Sequence, residues 1–363
     1  MTTGAALESA KHPPSVKRTP RDRLERALTA AWLSRGPLAR ALWPLSMIYR
    51  AVLALRDVVP AAAERLPVPV IVIGNVVAGG AGKTPTALAV ARDLQTRGWH
   101  PGILARGYRR DGGGVRLVAP DDDPRAVGDE PLLLRQVSDL PVAVGQARAQ
   151  AGRALLAAHP DIDVLVCDDG LQHRRLARDV AICVFDARGI GNGWLLPAGP
   201  LREPWPRPAN SKVDLILGTE GSVNVPLPPG VPVFAAWRCL TGQVRCAGGA
   251  HISLADLREQ CARHGQPLIA LAGIARPQAF FDMLRAAGLQ LTQTLALPDH
   301  ADLENAARTL DQGAALICTE KDAVKLWRWR PDAWAAPLAL DVPRGLFRAL
   351  EALLAERGYH AKR

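Results

Sequence analysis

The stretch from Val70 to Pro85 joins an apolar, β-branched run to a glycine-rich loop that ends in Gly82-Lys83-Thr84. Residue types in that order hold a nucleoside triphosphate. Glycines let backbone N–H groups curl around phosphate oxygens, a lysine adds a point charge, and a threonine hydroxyl can ligate Mg2+. The candidate phosphate-binding residues are therefore Val77, Ala78, Gly79, Gly80, Ala81, Gly82, Lys83 and Thr84. The common pattern opens on a glycine where this chain has Val77, so the loop by itself supports nucleotide binding and no more.

Further chemistry gathers at the ends of other apolar runs. Asp168 and Asp169 terminate Val164-Leu165-Val166-Cys167. Acid in that place is the usual partner of a phosphate loop, holding Mg2+ or its water shell opposite the β- and γ-phosphates; the plainer alternative is a helix cap. The polar, basic stretch from Gly170 to Asp179, with Gln172 and His173, suits contacts to phosphate or substrate, and so does Arg106-Gly107-Tyr108-Arg109-Arg110. Gly128-Asp129-Glu130-Pro131 puts two carboxylates at a helix start. Asp129 then either caps that helix or accepts the proton of an attacking hydroxyl, and residue chemistry alone leaves both open. His300, a lone loop histidine, is equally open.

The elements that must position these groups follow a βα rhythm. Apolar runs at 68–73, 102–105, 142–144, 164–167, 181–185 and 215–217 predict short buried strands, with helices at 84–97, 130–137 and 147–158. Such alternation predicts a mostly parallel sheet covered on both faces, with ligands beyond the carboxyl ends of the strands. Proline-rich zones at 197–208 and 226–232 suit a linker or structured loop, after which the rhythm resumes at 268–272, 279–287, 291–297, 303–310, 315–318 and 338–342. The expected organisation is a disordered tail at 1–20, amphipathic helices at 21–60, a nucleotide-binding unit at 61–225 and a smaller α/β unit at 226–363.

Composition narrows the class. The chain has 363 residues, 48% of them apolar, and six scattered cysteines with no Cys-x-x-Cys, which argues for reduced thiols over a disulfide frame or zinc site. Residues 1–60 hold 10 Lys and Arg against 4 Asp and Glu, much of the overall +10. Within them Leu24, Leu28, Trp32, Leu42, Trp43, Ile48, Val52 and Leu55 recur at helical spacing beside arginines, as in a segment lying at a bilayer interface. A break is expected at Gly36-Pro37, and Pro44 should kink or divide the second helix. A nucleic-acid binder is disfavoured by 5% aromatics without an interleaved basic stripe, and a GTPase switch by the lack of a guanine-reading segment.

Together these stretches closely resemble the tetraacyldisaccharide 4′-kinase family, the lipid A 4′-kinase of Gram-negative bacteria. The resemblance extends through Gly191-Asn192-Gly193, Leu196-Pro197-Ala198-Gly199-Pro200-Leu201-Arg202-Glu203-Pro204, Ala272-Gly273-Ile274-Ala275, Pro298-Asp299-His300 and Thr319-Glu320-Lys321-Asp322-Ala323-Val324-Lys325. It implies a P-loop kinase-like sheet, a smaller C-terminal α/β unit, and transfer of the ATP γ-phosphate to the 4′-hydroxyl of tetraacyldisaccharide 1-phosphate. By the same resemblance Asp129 and His300 form the dyad that activates the hydroxyl. Lys83 and Thr84 bind ATP and Mg2+, Glu130, Asp168 and Asp169 surround the metal, and Arg148 matches an arginine near the phosphates. In this family a non-glycine residue at the position of Val77 is ordinary. The implied setting is an anionic membrane surface at the cytoplasmic face of the inner membrane, with no nucleic acid and no protein partner evident. A second unit bearing His300 could close over the site and limit ATP hydrolysis.

Overall fold

The computed structural model describes residues 27–58, 62–108, 110–207, 213–274, 276–297 and 303–361. The expectations for residues 1–20, Arg109, Ala275 and Pro298-Asp299-His300 lie outside them.

A helical turn at 27–31 leads to α1 (Pro37–Val58). The break at Gly36-Pro37 stands, because proline is well suited to a first helical turn. Pro44 does not divide α1, which runs unbroken past it. A proline removes one hydrogen bond from the ladder, and the turns on either side keep theirs.

The chain then lays down β1 (Val70–Gly74), α2 (Lys83–Thr96), β2 (Pro101–Ala105), β3 (Arg116–Leu117), α3 (Pro124–Val127) and α4 (Asp129–Ser138). It continues with β4 (Val142–Val144), α5 (Arg148–Ala158), β5 (Val164–Asp168), β6 (Val180–Phe185), β7 (Leu215–Gly218) and β8 (Val233–Ala235). These strands form one sheet in the order β3-β4-β2-β5-β1-β6-β7-β8, parallel except for β3. Alternate β1 side chains serve opposite faces. Ile71 and Ile73 pack with Ala87, Val90 and Leu94 of α2, whereas Val70 and Val72 pack with Ala151 and Leu155 of α5. Ile73 lies in register with Asp168 of β5, so the phosphate loop and the acidic pair leave the sheet at the same carboxyl edge.

A two-stranded antiparallel ribbon follows, made by β9 (Trp237–Leu240) with a strand that returns much later. Next come β10 (Gln243–Arg245), β11 (His251–Ser253), α6 (Leu254–His264), β12 (Leu268–Ala272), α7 (Pro277–Ala286), β13 (Gln293–Ala296), α8 (Glu304–Thr309), β14 (Ala315–Thr319), α9 (Glu320–Leu326) and β15 (Trp334–Ala336). Their sheet has the order β11-β10-β15-β14-β12-β13. The ribbon's second strand, β16 (Leu338–Asp341), precedes α10 (Arg344–Glu356). Two features depart from a simple boundary at 225. β8 extends the first sheet beyond it, and α10 returns to that sheet, where Leu346, Leu350 and Leu354 join the cluster of Ile71 and Ile73.

Candidate active site

The phosphate loop is shaped by what each position packs against. Val77 is buried and bridges Leu201, while the Ala78 N–H donates to the Pro200 carbonyl at 2.7 Å. A side chain at 77 therefore belongs to the core, which is why glycine is not needed there. Gly79 and Gly82 take φ of 100° and 83°, in the left-handed region where glycine is at ease. At Gly82 a Cβ would also press on Thr219, 2.9 Å away. Gly79 and Gly80 are exposed, Ala81 is buried, and Lys83 and Thr84 open α2.

Lys83 Nζ lies 3.3 Å from Asn75 Oδ1 and 3.6 Å from Asp169 Oδ1. Arg202 Nη1 donates to the same Asp169 oxygen at 3.2 Å. Asp169 sits at φ 52°, a left-handed turn that aspartate tolerates better than most residues, directly after β5. Burial pushes its carboxyl up, but Lys83, Arg202, Arg148 and Arg106 together hold it below the usual range. Asp168 behaves oppositely. Burial, reinforced by the Glu130 and Asp169 carboxylates, raises it to about 7 against the pull of Lys83 and a bond from Thr84.

That contrast bears on the metal. Thr84 Oγ1 donates to Asp168 Oδ2 at 2.8 Å, and Asp168 Oδ1 is buried with no hydrogen-bond partner. A hydroxyl, an orphaned carboxylate oxygen and neighbouring carboxylates that raise its proton affinity fit a divalent cation. Among the described residues no three acid, histidine or cysteine side chains form an all-protein cage. Mg2+ does not ask for one, since it takes one or two carboxylates with phosphate oxygens and water.

Two more loops converge here because glycines allow it. A Cβ on Gly128 would meet the Gly107 Cα at 3.2 Å, and one on Gly107 would meet the Val127 carbonyl at 3.0 Å. Arg106 and Tyr108, both exposed, are thereby set beside Asp129 and Glu130. Asp129 is not the helix cap: Gly128 holds that position and Asp129 is the first residue of α4. Its Oδ2 pairs with Lys325 Nζ at 2.7 Å. Arg148, buried at the start of α5, donates to the Gly145 carbonyl and leaves its Nε without a partner. Gln172 Nε2 donates to the Asn75 carbonyl at 2.7 Å and to Glu203 at 2.6 Å. His173 is held below its ordinary value by burial and by Arg148, Arg175 and Arg106, so it is neutral near pH 7. Both residues line a cavity of about 290 Å3 with Arg56, Arg174, Arg178 and Arg207, at the carboxyl end of α1.

Asn75, Arg202, Glu203 and Lys325 were not among the sequence candidates. All four stand in the stretches that carry the resemblance, but their type alone names no task. Arg188 gave no such signal: Asp186 clamps it, and it lies 3.1 Å from a Cβ built on Gly79.

A family model described as tetraacyldisaccharide-1-P 4′-kinase matches residues 38–355. The chain is 55% identical over 336 residues to the tetraacyldisaccharide 4′-kinase of Acidovorax sp. (strain JS42), covering 92% of this chain and 95% of that one. It is 48% identical over 367 residues to the enzyme of the same name from Methylibium petroleiphilum, covering 96% and 98%. Among solved structures, a crystal structure of LpxK from Aquifex aeolicus in complex with ATP superposes with a TM-score of 0.72. That pair shares 26% identity and covers 87% of this chain and 99% of the other.

Proposed function

The chain belongs to the tetraacyldisaccharide 4′-kinase family, and from that membership we infer how its own residues carry the reaction. The enzyme transfers the γ-phosphate of ATP to the 4′-hydroxyl of tetraacyldisaccharide 1-phosphate, a step of lipid A biosynthesis. The acceptor oxygen bonds to the γ-phosphorus, the bond from that phosphorus to the β–γ bridging oxygen breaks, ADP leaves, and the hydroxyl proton passes to a base.

The assignment of roles is carried by one observation: Lys83, Thr84, Asp168, Asp169 and Arg202 converge at the edge where Asp129 also stands. Backbone N–H groups of residues 79 to 82 cradle the β- and γ-phosphates, since Val77 is buried and the Ala78 N–H is taken by Pro200, while Lys83 and Arg148 neutralise charge as the γ-group moves. Thr84 and Asp168 would hold Mg2+, with Glu130 and Asp169 near it. The ion would supply positive charge against the negative charge developing on the phosphates. Asp129 accepts the hydroxyl proton, with His300 as its partner by family resemblance. Phosphoryl transfer needs positioning and charge neutralisation more than covalent chemistry, so this set is sufficient.

Arg106, Tyr108, Gln172 and His173 face the acceptor, whose sugar-phosphate end suits the basic cavity beside Gln172. The lipid chains would lie along α1. That helix is long and apolar enough to cross a membrane by length and composition, and most of it is exposed. Ala39, Leu42, Ser46, Tyr49 and Leu53 face the protein, and Leu45, Ile48, Val52 and Leu55 form an exposed apolar stripe. We assign this stripe to the cytoplasmic face of the inner membrane, as a peripheral or monotopic contact. Incubation with labelled ATP, Mg2+ and the tetraacyldisaccharide 1-phosphate in detergent tests the reaction: label must enter the lipid, and unlabelled lipid with an active control enzyme refutes it.

A further inference from the structure

Helix α9 begins in the stretch Thr319-Glu320-Lys321-Asp322-Ala323-Val324-Lys325, whose polar residues divide into two sets. Thr319 caps the helix, and the buried Asp322 carboxylate accepts from the Thr319 hydroxyl at 2.7 Å and the Gly273 N–H at 2.9 Å. Glu320 pairs with Arg245 of β10 at 3.3 Å. These bonds fix the helix against the second sheet. Lys321 and Lys325, one turn apart on the same face, point the other way, toward the first turn of α4. Lys325 Nζ meets Asp129 Oδ2 at 2.7 Å and Lys321 Nζ stands 3.9 Å from Glu130 Oε1.

The Lys325–Asp129 pair is mostly shielded, with side-chain exposures of 26% and 16%. Shielding separates it from ordinary surface pairs, which contribute little. It also joins two sheets: the carboxylate belongs to the phosphate-loop unit, the ammonium to the other. An aspartate at a first helical position has two rotatable side-chain bonds, and an ammonium held by a capped helix is a fixed point that selects one orientation.

We propose that Lys325 is a positioning residue for phosphoryl transfer, reaching from the second sheet to orient the Asp129 carboxylate so that the base is in place only when the two sheets are together. The inference rests on Asp129 being the base. Misplacing a reacting group by about 1 Å costs on the order of 100-fold in rate, which sets the expected effect.

The test is steady-state kinetics on the full-length chain with tetraacyldisaccharide 1-phosphate, ATP affinity and thermal melting beside it, for Lys325→Met, Lys325→Arg, Asp129→Asn and the Asp129→Asn/Lys325→Met double variant. Lys325→Met is expected to lower kcat about 100-fold with ATP affinity near wild type, and Lys325→Arg to recover most of it. In the Asp129→Asn background the methionine should cost less than about twofold more, because there is no base left to orient. Lys325→Met turnover within about twofold of wild type, or a full further loss in that background, overturns the inference. Should Lys325→Met melt early, Lys325→Arg decides: restored melting with restored turnover supports the role, and restored melting alone overturns it. Wild-type turnover in Asp129→Asn would instead overturn the base itself.

Discussion

The Tyr49 hydroxyl, on the N-terminal helix α1, donates to the backbone carbonyl of Arg202 at 2.8 Å, and the side chain of that arginine holds Asp169. The apolar arm is thus joined by two bonds to a carboxylate that faces the phosphate-loop lysine. Other stitches run to the same loop: Trp32 Nε1 donates to the Pro197 carbonyl, and the Asn192 amide donates to the carbonyls of Ala31, Ser34 and Ala198. The long signature around Leu196–Pro204 therefore seats the arm on one side and supplies Arg202 to the site on the other.

Ser46 is the most buried of these stitches, accepting from the Ala198 N–H at 3.0 Å and donating to the Leu195 carbonyl at 2.9 Å. Ser46→Ala leaves the Ala198 N–H unpaired in the core, while the Leu195 carbonyl keeps the Gly199 N–H, at a cost of about 2 kcal/mol. A lower urea midpoint is expected with ATP affinity unchanged; an unshifted midpoint would show that the arm is not fastened there.

The exposed stripe of α1 predicts how the chain meets lipid. Replacing Leu45, Ile48, Val52 and Leu55 together by serine removes apolar area worth on the order of several kcal/mol at a bilayer interface. Co-sedimentation with anionic vesicles should fall more than about tenfold while ATP binding stays intact. Unchanged sedimentation would remove α1 from the membrane contact, and deletion of residues 21–57 should then leave partitioning unchanged too.

The donor half of the site was legible because strand, glycine loop, lysine and threonine are contiguous, and because Asp168 and Asp169 end an uninterrupted apolar run. Parallel strands buried on both faces announce themselves as solid apolar blocks. β10 and β11 do not: Gln243-Val244-Arg245 and His251-Ile252-Ser253 are short, partly exposed and antiparallel. Nor does spacing reveal Lys325 beside Asp129, since that contact joins residues far apart in the chain. Asp129 was ambiguous for a local reason. An acid at a helix start reads as a cap until the glycine before it is seen to hold the capping position.

Asp168 gives a pH dependence with a definite sign. Its folded value of about 7 lies above the ordinary 3.8, so the ionised form is the disfavoured one. Its contribution to stability is whole below the ordinary value and is lost as pH rises through about 7. Asp168→Asn, which cannot ionise, should therefore stabilise the metal-free chain most at pH 8 and less at pH 5, as read from denaturant midpoints. A gain that is constant with pH would mean that the Asp168 proton is not linked to folding. The same variant should bind Mg2+–ATP more weakly, because it loses the charge that Thr84 alone cannot supply.

Lys83 and Asp129 should separate cleanly in kinetics. Lys83 lies between Asn75 and Asp169, and in the proposed mechanism it would act on phosphate both before and during transfer. Lys83→Met is expected to raise the KM for ATP and to lower kcat, and it leaves Asp169 with less positive charge to balance it. Asp129 stands on a different element and, as the proposed base, would act on the acceptor, so Asp129→Ala should cost about 100- to 10,000-fold in kcat with ATP affinity nearly unchanged. The two are compared by measuring nucleotide affinity directly and turnover at saturating ATP. If Asp129→Ala instead weakens ATP binding as much as Lys83→Met does, its carboxylate serves the nucleotide side and cannot be the group that takes the hydroxyl proton.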